Sequence, residues 1–92
     1  MSNDVIRVLV VDNSAIARAG VTALLARAPG IEVVGEAGGP RAGLEAYAAL
    51  TPTVVVADLQ VPEMDTLEFT RLARGEEPVE RAAEAGQGVR VA

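Results

Sequence analysis

Two aspartates in this chain close apolar runs of the same kind. Asp12 ends "IRVLVVD" and Asp58 ends "TPTVVVAD", and in both cases a valine-rich apolar run leads straight into the carboxylate. A carboxylate delivered in this way stands at the carboxyl end of a buried strand, where open parallel sheets bind their ligands. If the two strands are neighbours, two anions face each other across one sheet edge and repel unless a cation lies between them. A small hard cation such as Mg²⁺ takes oxygen ligands and accepts one or two carboxylates together with phosphate oxygens. A carboxylate in such a corner can also attack a phosphoryl donor and become an aspartyl phosphate. Taken singly, each aspartate has a plainer reading as a turn or helix-capping residue. The repeated pattern, with "VPEMD" behind the second acid, favours chemistry.

The elements that position these acids can be read in order. Ile6 to Asp12 is a continuous apolar run broken only by Arg7, which suits a strand buried on both faces of a parallel sheet. A helix is expected from Asn13 or Ser14, either of which can accept from an orphan backbone N–H. Its apolar stripe reads Ala17, Val21, Leu24, Leu25 and Ala28, and Pro29–Gly30 stops it. Ile31 to Ala37 is a second, shorter strand, and Gly38–Gly39–Pro40 forms the next turn with Pro40 at the first helical position. "RAGLEAYAAL" carries Leu44, Tyr47 and Ala48 on one face, and Thr53 to Ala57 supplies the third strand. A third helix follows Asp65 with Phe69, Leu72 and Ala73 as its apolar set, interrupted by Gly75 and Pro78. "VERAAEA" (79–85) reads as a further helical piece and "VRVA" (89–92) as the start of a fourth strand. Strand and helix alternating across turns of two to four residues predicts a parallel α/β sheet with right-handed crossovers.

Composition narrows the chemistry. With 92 residues, half of them hydrophobic, the chain is one small globular domain with an aliphatic core, since it has one Phe, one Tyr and no Trp. The absence of cysteine removes disulfides, thiolate metal sites and thiol nucleophiles. A formal charge of −5, with no lysine and eight scattered arginines, argues against direct nucleic-acid contact by this chain. No apolar run approaches the roughly 18 residues a membrane span needs, so a cytoplasmic location with no membrane contact is expected.

The stretches "IRVLVVDNS", "GIEVVGEA" and "VVVADLQVPEMDTLEF" together resemble the receiver domain of two-component response regulators, most closely the NarL/FixJ-like subgroup that carries a C-terminal helix-turn-helix. The resemblance runs from about Ile6 to Arg74. It implies an α/β flavodoxin-like (CheY-like) parallel sheet with helices on both faces, here incomplete at the C-terminus. It also implies that Asp58 is the phosphoacceptor, that Asp12 belongs to an acidic Mg²⁺ pocket, and that the backbone carbonyl of Gln60 stands at a metal-ligand position. Residues 1–75 are then a receiver-like core, and residues 76–92 an atypical acidic helical connection leading into a fourth strand.

Four departures from the family pattern bear on function. Asn13 replaces the second of two adjacent acids, at the position that ligates the metal directly, so Mg²⁺ binding is expected to be weakened. The lysine that pairs with the phosphate has no counterpart, and no Ser or Thr for the phosphate switch occurs after Thr70. Thr66 stands where the family commonly has glycine, which predicts a stiffer loop. The residues are expected to stop near the start of strand four, leaving a strand edge and one face of the first helix open and favouring homo-oligomers.

The leading expectation is a receiver module of a phosphorelay, phosphorylated on Asp58 by a histidine kinase and controlling transcription through a DNA-binding part outside these residues. The alternative is a degenerate, phosphorylation-independent receiver acting as a dimerisation or partner-binding module. No enzyme is expected. Aspartate-nucleophile phosphatases need a second acid two residues after the nucleophile, where this chain has Gln60, and the lack of lysine excludes a P-loop.

Overall fold

The computed structural model describes residues 4–75 and 89–91. Strand β1 (Ile6–Asp12) is followed by helix α1 (Ala15–Ala26), β2 (Ile31–Ala37), α2 (Pro40–Leu50) and β3 (Val54–Asp58). Two-residue strands β4 (Gln60–Val61) and β5 (Met64–Asp65) lead into α3 (Thr66–Ala73), and β6 (Val89–Val91) comes last. The main sheet has the order β2-β1-β3-β6 and all its pairings are parallel. β4 and β5 form a separate antiparallel ribbon, where the sequence suggested only a loop. The helical piece expected over residues 79–85 lies outside the described residues.

The continuous apolar runs become strands because both sheet faces are covered. Val8, Leu9, Val10 and Val11 are all buried, as are Val55 and Ala57. One face carries the main core: Leu9, Val11, Ala37, Val55, Ala57 and Leu59 pack around Phe69 of α3, with Leu44, Tyr47 and Leu50 of α2 against them. Side chains alternate across a strand, so Val8 and Val10 lie on the opposite face. There α1 packs on β1 and β2.

Gly43 shows how closely α2 approaches this core. A Cβ placed on it would lie 2.9 Å from Val11 Cγ1 and 2.8 Å from Phe69 Cε1, so only glycine lets α2, β1 and α3 meet at this point. Pro40 occupies the first turn of α2, as its missing N–H and fixed φ favour. At the other end Thr51 adopts φ 42°, and its carbonyl accepts from the Arg7 guanidinium at 2.8 Å. Thr53 N–H donates to the Arg7 carbonyl at 2.8 Å, which seats the start of β3 beside β1.

Helix α1 differs from its expected face. Arg18, Val21, Thr22 and Leu25 are its partly covered positions, with Ala28 just beyond its end also partly covered, whereas Ala17 and Leu24 of the expected stripe point outward. None of its residues is fully buried, and Ile16 and Leu24 are 86% and 70% exposed. A helix rich in Ala and Leu offers apolar residues on more than one side, so periodicity alone does not choose which side meets the sheet.

Candidate functional site at the carboxyl edge of the sheet

The parallel ladder between β1 and β3 pairs Val8 with Val54, and the register continues to Asp12 against Asp58. The two acids are therefore cross-strand partners at the last rung, on strands about 4.8 Å apart. Their apolar predecessors form the ladder that fixes this register. Asp12 is 7% exposed, while Asp58 is half-buried and more accessible.

The surroundings divide the work between the two carboxylates. Asp12 Oδ1 accepts the Ser14 N–H at 2.8 Å, and the Ser14 hydroxyl in turn accepts from Ala17 N–H at 3.2 Å as the cap of α1. Asp12 thus ties the strand tip to the first turn of the helix. Among the described residues no hydrogen bond to the Asp58 carboxylate is found. Arg18, one turn into α1, donates from Nη1 to the Asp12 carbonyl at 2.6 Å and places Nε 3.5 Å from Glu36 Oε1. It bridges the tips of β1 and β2. With Glu36 nearly half exposed, that ion pair contributes less than about 1 kcal/mol, and the bond to the carbonyl is the stronger anchor.

The loop after Asp58 is held from two sides. Asn13 Oδ1 accepts the Gln60 N–H at 2.7 Å, connecting the tip of β1 to the loop. From the other side, Thr66 Oγ1 accepts the Leu59 N–H at 2.8 Å and donates to the Leu59 carbonyl at 3.3 Å. Asp65 caps α3 by accepting from Glu68 N–H at 2.8 Å. The structure thus gathers Asp12, Asn13, Asp58 and Gln60 at one edge. Arg18 and the hydroxyl of Thr66 complete the site, and neither role was legible beforehand. The one available signal was spacing, since Arg18 follows the capping Ser14 by a full turn and so faces back to the strand tip.

A cleft of about 400 Å³ opens elsewhere, between the amino end of α2 and the β4–β5 ribbon, lined by Pro40, Arg41, Leu44, Glu63 and Met64. Neither aspartate lines it. No helix among the described residues is long and apolar enough to cross a membrane.

An α/β sheet with this strand order and an acidic pair at its carboxyl edge defines a flavodoxin-like module with helices on both faces. The chain belongs to the response regulator receiver domain family, whose profile matches residues 8–82. It is similar to a protein-glutamate methylesterase/protein-glutamine glutaminase of Anaeromyxobacter dehalogenans, with 45% identity over 74 residues, covering 80% of this chain and 20% of that protein. Among solved structures it is similar to the response regulator domain of Thermotoga maritima CheB, at TM-score 0.77 and 26% identity, covering 96% of this chain and 77% of that one. It is also similar to a LuxR-family two-component response regulator from Aurantimonas sp. SI85-9A1, at TM-score 0.72 and 36% identity, covering 78% of this chain and 51% of that one. The chain spans about a fifth of the length of the curated relatives it matches.

These relatives correct one expectation. The sequence pointed to a protein that is no enzyme, yet the curated relatives are enzymes by name. That expectation rested on Gln60 and on the missing lysine, which speak only for these residues. They say nothing of what a receiver is joined to.

Proposed function

We propose that this chain is a phosphoacceptor receiver in which Asp58 takes a phosphoryl group from a histidine kinase. The observation that carries the proposal is the last rung of the β1–β3 ladder, where Asp12 and the more accessible Asp58 stand side by side. One Oδ of Asp58 forms a bond to phosphorus while the donor's bond to phosphorus breaks, leaving an acyl phosphate on Asp58. Asp12, Asp58 and the Gln60 carbonyl are the oxygen donors that would hold Mg²⁺, with the Asn13 amide oxygen beside them. Two carboxylates with a carbonyl fit this ion's preferences, although no cluster of three or more acidic or imidazole groups is found among the described residues. When bound, Mg²⁺ supplies positive charge against the phosphoryl oxygens. Asp12 is anchored through Oδ1 to Ser14 N–H, which leaves Oδ2 as its oxygen for the ion.

Identities of 45% to 49% with methylesterase/glutaminase relatives support an output of that kind outside these residues. The 36% identity with a LuxR-family regulator supports transcription control as the second output. Coding sequence flanking these residues separates the two. A cytoplasmic location and self-association belong to the same proposal, the latter supported by the outward Ile16 and Leu24.

A phosphorylation-independent partner module is favoured by one observation: Asn13 Oδ1 is already engaged by Gln60 N–H. Exposure to beryllofluoride or acetyl phosphate with Mg²⁺, followed by NMR and intact mass, decides between them. The expected result is an adduct that Asp58→Asn abolishes. A wild-type chain without an adduct would favour the partner module.

A further inference from the structure

We infer that Thr66 is a positioning residue for Asp58, acting through a hydroxyl clamp on the peptide units of Leu59; the inference rests on Asp58 being the phosphoacceptor. Leu59 falls between the end of β3 and the start of β4, and among the described residues its N–H and C=O belong to no sheet ladder. The residue is nonetheless buried, at 3% exposure. Buried backbone groups need partners, and one hydroxyl satisfies both: Thr66 Oγ1 accepts the N–H at 2.8 Å and donates to the C=O at 3.3 Å. Thr66 is itself fixed, as the first residue of α3 directly after the capping Asp65.

The two peptide units that flank Leu59 run to Asp58 on one side and to Gln60 on the other. The first is pinned through its N–H, and the second through its carbonyl. The Gln60 N–H, on that same second unit, is held by Asn13 Oδ1 at 2.7 Å. The backbone leaving Asp58 is therefore tied to α3 and to the tip of β1 by side chains. No charged group takes part in either tie. The clamp depends on the residue type at position 66, because a side chain without a hydroxyl cannot form it.

Removing the hydroxyl frees the Leu59 peptide and lets the Asp58 carboxylate drift from its place beside Asp12. The test is beryllofluoride binding with Mg²⁺ to the full 92-residue chain, read by the Leu59 and Gln60 amide resonances. Thr66→Val is expected to weaken the adduct about five-fold or more, and Thr66→Ser to restore it. If Thr66→Val does not fold, Thr66→Ala removes the same hydroxyl and carries the same expectation. Equal affinity in wild type, Thr66→Val and Thr66→Ser overturns the clamp while leaving Asp58 as acceptor. Absence of any adduct in wild type overturns both.

Discussion

Replacing Asn13 by aspartate tests the electrostatics of the edge most directly. The side chain sits at the tip of β1, one residue after Asp12, with its oxygen 2.7 Å from Gln60 N. A carboxylate there keeps that hydrogen bond and makes it charge-assisted. It also adds a third anion near Asp12 and Asp58, which are partners across strands about 4.8 Å apart. Two unit charges about 5 Å apart interact by about 3 kcal/mol at an effective dielectric of 20. Asn13 is exposed, so solvent screening reduces this to about 1 kcal/mol. Without Mg²⁺, Asn13→Asp is therefore expected to unfold at a lower urea concentration, by about 1 kcal/mol. With Mg²⁺ the sign reverses, because the added charge attracts the ion, and affinity is expected to rise about tenfold, or about 1.4 kcal/mol. Urea titrations in EDTA and Mg²⁺ titrations followed by the Gln60 amide resonance measure the two halves separately. Equal Mg²⁺ affinity together with unchanged metal-free stability would show that position 13 does not face a shared cation.

The packing of α2 yields a second expectation. Gly43→Ala gains about 1 kcal/mol of helix propensity but presses a methyl group against Val11 and Phe69, both fully buried. Overpacking of that kind costs about 1–3 kcal/mol, so a net loss of about 1 kcal/mol and a melting point lower by about 4–8 °C are expected by calorimetry. A variant as stable as wild type would mean that α2 can lift from β1 without penalty. For the exposed side of α1, Leu24→Lys is expected to shift sedimentation of a concentrated sample toward the single chain; a wild type that already sediments as a monomer would remove the basis for self-association through this face.

The strands and the two acids were legible in the sequence for a specific reason. A strand buried on both faces selects apolar residues at every position, so "VLVV" and "VVVA" announce themselves without help from the rest of the chain. The capping Ser14, the helix-initiating Pro40 and the capping Asp65 are equally local, because each satisfies backbone groups within a few residues of itself. By contrast, the β4–β5 ribbon has two residues per strand, too few for a period to register.

Other features arise only when distant segments meet. Whether Asp12 and Asp58 are neighbours depends on strand order, and no local preference of either strand contains that information. Asn13 and Gln60 are 47 positions apart, and their hydrogen bond exists because parallel β1 and β3 end at the same rung. The inward side of α1, the need for glycine at 43 and the grip of Thr66 on Leu59 likewise follow from packing and loop closure. Backbone preference acts over a few residues, whereas burial and hydrogen-bond satisfaction act across the whole assembled sheet. The carboxylates are written in the chain; their common edge comes into being only with the fold.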